Sequence, residues 1–235
     1  MFCRLMGAGA FAAVACLATQ AHAAVVQFEF SGGGVSGSGW FTVAPDVSPP
    51  DPNPLCGTPG QNACRADPPG AYKITAVTGT FSDPANGVTR ANITGLVPVS
   101  PADERDPTFD PLVPTSLSFI DYAPGESLTY NNLYFPDGSP IDCDFPFKGT
   151  FVDVFGAAFT VDGGYIVDLW GDGDMFGPGT TTYGVAVVQG ANELVYQFSG
   201  VNAAIPEPAT WGLMLIGLGA LGAHLRRARR PALAA

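Results

Sequence analysis

The chain has 235 residues, 46% of them apolar and 13% charged, with a formal net charge of −11. Its 30 glycines and 22 prolines exceed the roughly 12% of average usage nearly twofold, which excludes a helical bundle and favours short strands joined by turns. The acid excess excludes nucleic acid as a partner, because no basic surface is available to displace counterions from phosphates.

The charge is unevenly placed. Residues 1–23 carry Arg4 alone, residues 24–204 carry 20 acidic against 5 basic side chains, and residues 205–235 carry Glu207 against four arginines. The opening segment reads as a secretory signal helix. Arg4 precedes an apolar stretch from Leu5 to Ala18, and Ala21-His22-Ala23 supplies a small-residue site for signal peptidase, with cleavage between Ala23 and Ala24. Lipoprotein processing at Cys16 is the weaker alternative, since it leaves Ala21-His22-Ala23 unexplained.

From Ala24 onward, period-two patterns alternate with turn chemistry. Val26, Phe28 and Phe30 alternate with Gln27, Glu29 and Ser31, and the glycine-serine run Ser31–Gly39 reads as a hairpin connection. Strands are predicted near 25–30, 36–43, 72–81, 88–94, 115–120, 127–135, 147–155, 157–161 and 165–170, followed by a hairpin over 181–199. Ser82–Gly87, Pro136–Pro140, Asp162-Gly163-Gly164 and Gln189–Asn192 are the turn signals between them. In the last strand Leu194, Tyr196 and Phe198 alternate with Val195, Gln197 and Ser199. This pattern predicts an all-β exported domain over 24–204, an antiparallel β-sandwich or jelly-roll. Residues 45–69 and 98–114 are proline-rich and read as long loops. In an oxidising compartment Cys56 and Cys64 form the expected disulfide, leaving Cys143 as a buried thiol, an intermolecular bridge or the true partner of one of the other two.

The chain closes with Pro206-Glu207-Pro208, then Ala209–Leu225 without a permanently charged side chain, then Arg226, Arg227, Arg229 and Arg230. As a helix that span rises ~25 Å, the short limit for one transmembrane helix. The arginines place its far end in the cytoplasm and residues 24–204 outside.

Ile205-Pro206-Glu207-Pro208-Ala209-Thr210-Trp211, the apolar span and the arginine cluster together resemble the PEP-CTERM sorting domain, in particular the proteobacterial variant with Trp three residues after the motif. Gly212 departs from the alanine common after that Trp. The resemblance covers 205–230, leaving 231–235 as a tail. It implies a Gram-negative bacterium that makes extracellular polysaccharide, and an exosortase as partner. Pro206, Glu207 and Pro208 would be the recognition element, with Trp211 marking the variant. The apolar span would be a transient inner-membrane anchor and the arginines its stop signal, before delivery to the envelope or the outside.

Chemistry within 24–204 is sparse. Its only possible histidines, His22 and His224, lie outside it, which excludes imidazole catalysis and His-ligated zinc. No phosphate-cradling loop is present, and no cofactor is expected. Lys73 and Lys148 read as solvated strand-face residues. The densest oxygen cluster is Asp168-Leu169-Trp170-Gly171-Asp172-Gly173-Asp174, where Asp172 and Asp174 could face Ca²⁺; a solvated Gly-Asp turn is the plainer reading. Trp40, Trp170 and Tyr183 could stack on polysaccharide, against the plainer reading of core aromatics. The expectation is a non-enzymatic structural or adhesive module associated with exopolysaccharide. The alternative is a carbohydrate-binding or carbohydrate-active domain built on aromatic and carboxylate side chains.

Overall fold

The computed structural model describes residues 23–46, 67–68, 70–99, 117–141 and 145–205. Four strands open the fold, β1 (Ala24–Gly32), β2 (Val35–Pro45), β3 (Tyr72–Asp83) and β4 (Val88–Leu96). Three shorter ones follow, β5 (Ser118–Ala123), β6 (Glu126–Tyr130) and β7 (Leu133–Tyr134). Four more complete it, β8 (Ala157–Val161), β9 (Tyr165–Gly173), β10 (Thr182–Gln189) and β11 (Asn192–Ala204).

The turns follow from local chemistry. Gly33 and Gly34, at φ +60° and +83°, make the two-residue connection that pairs Gly32 with Val35. Between β3 and β4 the Asp83 carboxylate accepts from Asn86 N–H and caps a single 3-10 turn over Pro84–Asn86, which Gly87 ends at φ +76°.

Every pairing is antiparallel, and the strands close on themselves. The ring runs β1-β2-β3-β4-β8-β9-β10-β11 and returns to β1 through Glu29↔Ala204, Phe30↔Ala203 and Ser31↔Asn202. The expected sandwich or jelly-roll is therefore corrected to a closed eight-stranded up-and-down β-barrel. A sandwich needs two sheets with separate edges; here the last strand covers the edge of the first and no edge is left.

An eight-stranded barrel is just wide enough for side chains to fill. Phe28 and Phe41 stack with ring centroids 4.1 Å apart, and Phe30 lies 6.4 Å from Phe81 and 6.3 Å from Phe159. Val167, Leu169, Val185 and Val187 complete this fully buried interior. Gly39 and Gly79 face each other across β2 and β3. A Cβ on Gly39 would strike the Thr78 carbonyl oxygen and one on Gly79 the Ser38 carbonyl oxygen, so only glycine permits this approach.

Residues between β4 and β8 form an insertion carrying β5, β6 and β7. The β5–β6 hairpin is a separate two-stranded sheet, and β7 adds to β3 through Tyr72↔Tyr134. Ile120, Leu128 and Tyr130 pack with Ala158, Trp170, Ala186 and Val188 on the outside of the barrel. A strand was expected over 147–155, but this segment is irregular. Its backbone turns instead to Ser139 and Phe135, and the Thr150 hydroxyl donates to Val152 O at 2.7 Å.

Two further expectations are corrected. Among the described residues no helix is long and apolar enough to cross a membrane, so no transmembrane helix is supported, and the inner-membrane anchoring that rested on it loses its support. The span expected to form that helix, 209–225, lies outside the described residues, as do the signal segment 1–22 and the tail 231–235. The described structure also holds no disulfide: Cys56, Cys64 and Cys143 all lie outside it.

Candidate binding face

The alternation of β9 sends Val167, Leu169 and Gly171 inward and Ile166, Asp168, Trp170 and Asp172 outward, under and beside the insertion. Trp170 is 7% exposed. Its indole lies over Gly184, its register partner on β10, where a Cβ would collide with the ring. Its Nε1–H donates to Asp172 Oδ1 at 3.1 Å. On the solvent side the Tyr196 ring stands 5.6 Å from Trp170, inclined by 35°. Tyr196 and Phe198 are 53% and 50% exposed, so β11 presents an aromatic stripe braced from behind by a buried indole.

The stripe has an acidic underlay. Burial pushes the Asp172 carboxyl up to about 6, against the Trp170 N–H and the Thr182 hydroxyl, which lower it. Thr182 lies close, yet neither its Oγ1 nor Asp172 Oδ2 completes a hydrogen bond of good geometry. Asp168 is fully enclosed with Oδ1 unpartnered. Burial, and then the charge of Asp153, raise its carboxyl well above the usual carboxylate range. Asp153 is itself buried and well supplied with donors: Asn131 Nδ2 reaches Oδ2 at 2.6 Å, and the N–H groups of Phe155 and Gly156 reach Oδ1 at 3.0 and 3.1 Å. At the rim the Tyr122 hydroxyl donates to Glu193 Oε2 at 2.8 Å, and that bond leads the effects that push the phenol up to about 12. Tyr196 is raised by burial first, then by Glu193, Asp172 and Asp168.

The residues expected at a site divide. Asp172 and Asp174 are committed to different donors: Asp172 to the Trp170 indole, and Asp174 Oδ1 to the Lys148 N–H at 3.2 Å. Among the described residues no group of three His, Cys, Asp or Glu is placed to hold a metal. Tyr183 points into the barrel, 4.9 Å from the Phe151 ring, with its hydroxyl accepting from Phe151 N–H; burial pushes it up to about 12. It cannot stack on an outside ligand. Trp40 is on the outer face of β2 and 49% exposed. Lys73 pairs with Asp46 at 3.1 Å. Pro206, Glu207, Pro208, Trp211, Arg226, Arg227, Arg229 and Arg230 lie outside the described residues.

Tyr196 and Phe198 were legible as an alternating stripe, but not as the exposed one. Register shifts at Tyr183/Val185 and Val187/Val188 in the β10–β11 pairing set the phase, and they leave no mark in the sequence.

Fold and face together define a closed β-barrel with a surface aromatic cluster. The chain also carries a PEP-CTERM protein-sorting motif: residues 204–230 match its model, beginning at the last residue of β11. That motif implies interaction with an exosortase. No curated protein and no solved structure matches the chain.

Proposed function

We propose that this is an exported protein sorted by an exosortase, and that its barrel is a non-enzymatic structural or adhesive module associated with exopolysaccharide. Signal peptidase would remove residues 1–23, cutting between Ala23 and Ala24. The exosortase would read Pro206-Glu207-Pro208 in the Trp211-bearing variant of the motif. The match over 204–230 carries this reading. Two features support the non-enzymatic part. Asp153 and Asp168 are 1% and 2% exposed, closed to a substrate that general acid catalysis would have to reach. Tyr196 and Phe198 offer contact area on a rigid wall, which suits adhesion. The test is intact-mass analysis of cell and medium fractions of an exosortase-bearing host, with and without that enzyme. A mature product beginning at Ala24 and shortened at its C-terminus only when the exosortase is present is expected. The same full-length mass in both hosts would refute the sorting assignment.

A further inference from the structure

Round the barrel wall from the aromatic stripe, the outer faces of β11, β1, β2, β3 and β4 bring short polar side chains into register. Asn202 pairs with Ser31, Ser31 with Ser36, and Ser36 with Ser82. Arg90 on β4 closes this row, its N–H donating to Ser82 Oγ at 2.9 Å. Two residues along, Ala204, Glu29, Ser38 and Thr80 form a second row, and Gln27, Trp40 and Thr78 a third. The first two rows enclose a cleft of about 440 Å³. Its lining comes from five adjacent strands, which at ~4.8 Å spacing span about 19 Å measured round the curved wall.

We propose that this cleft binds a linear chain of neutral sugars laid across the strands, with Trp40 stacking on a ring at its edge. Hydroxyls that both donate and accept, one carboxylate, one guanidinium and one amide match the bifunctional hydroxyls of a sugar. Among the described residues none is hydrogen-bonded to the side chains of Ser31, Ser36 or Ser38, so their hydroxyls face the cleft uncommitted. Charge selects the class of chain. Glu29 and Arg90 cancel within the cleft, while residues 24–204 carry 20 acidic against 5 basic side chains and repel a polyanion. Phe30, Gly37, Ala203 and Ala204 add apolar surface to the lining, as the C–H faces of a sugar ring require. Trp40 lies one row beyond Ser38 on the same face, with half its surface free. The proposal places the polysaccharide contact of the exported module in this cleft rather than on the Tyr196 stripe, and it rests on the exopolysaccharide reading only for its setting.

The experiment is isothermal titration of the full chain with hexasaccharides of β-1,4-glucan, β-1,3-glucan and α-1,4-glucan, and with an alginate hexasaccharide as the anionic probe. Saturable millimolar or tighter binding of at least one neutral probe is expected, and none of alginate. Trp40→Ala and Glu29→Gln should each weaken it by roughly tenfold, while Tyr196→Ala stays within about twofold. Both substituted positions are exposed, and a melting curve checks that each variant is folded. The proposal is overturned if no neutral probe binds, if alginate binds as tightly, or if folded Trp40→Ala and Glu29→Gln bind as the parent does. Loss on Tyr196→Ala alone would move the contact to the aromatic stripe and sink the cleft. Because sorting is read separately by mass, a failure here leaves the exosortase assignment standing.

Discussion

Asp172→Asn should stabilise the barrel, and only above mildly acid pH. The residue is 1% exposed, its Oδ1 accepts from the Trp170 indole, and both its Oδ2 and the neighbouring Thr182 Oγ1 lack a partner. The carboxyl is pushed from 3.8 up to about 6. A folded-state value above the unfolded one means that, between the two, the folded chain holds a proton the unfolded chain has lost. Asp172 therefore has no effect below about pH 4, and it erodes stability as pH climbs to about 6, after which the loss is complete. Two units correspond to ~3 kcal/mol as an upper bound. Relaxation of the surroundings around a buried charge cuts the figure to about 1–2 kcal/mol. Asparagine keeps the oxygen that Trp170 needs and offers Nδ2–H to Thr182. The variant should then melt about 2–8 °C higher at pH 8 and within a degree or so of the parent at pH 4. Asp168 titrates in the same direction in both proteins and cancels in the comparison. Thermal melts across pH 4–8 are the assay. A variant no more stable at pH 8, or a gain that does not change with pH, would refute the reasoning.

Gly39→Ala forces a Cβ into the Thr78 carbonyl oxygen, so urea denaturation should show a loss of about 3 kcal/mol or more, the upper end for overpacking, because backbone must yield. Phe41→Ala removes the ring stacked on Phe28 and should cost about 3–5 kcal/mol in the same assay. Tyr196→Ala, half-exposed on the wall, should leave the melting point within a few degrees of the parent and retention on exopolysaccharide-coated beads within about twofold; a larger loss in a folded variant would place the adhesive contact on the stripe. Glu207→Ala should accumulate as chain still carrying its C-terminus in an exosortase-bearing host, measured by intact mass, and normal trimming would show that the carboxylate is not read.

Much of the fold was legible because strands and turns are local. Phe28 and Phe30 face inward as their period-two spacing implies, and the Asp162-Gly163-Gly164 and Gly190-Ala191 turns sit between strands. The site was less legible, for the same physical reason. Alternation divides a strand into two faces without saying which one looks inward, so Tyr183 and Tyr196 could not be told apart by pattern. Tyr183 is buried against Phe151, and Tyr196 stands in solvent beside Trp170. The serine ladder was hidden too, since Ser31, Ser36, Ser82 and Asn202 come from four strands and meet only through register.

The amino-acid sequence by itself determined that residues 24–204 are acidic, patterned as strands and without histidine, and that a sorting motif follows them, because composition, turn chemistry and a contiguous signal need no partner strand. Only the tertiary structure decided that β11 returns to β1 and closes a barrel, that an insertion between β4 and β8 buries Trp170 and Asp168, and which side chains share the outer wall. Strand order depends on pairings between residues more than 170 positions apart, such as Glu29 with Ala204, and the free energy that selects them lies in the filled interior rather than in any one segment.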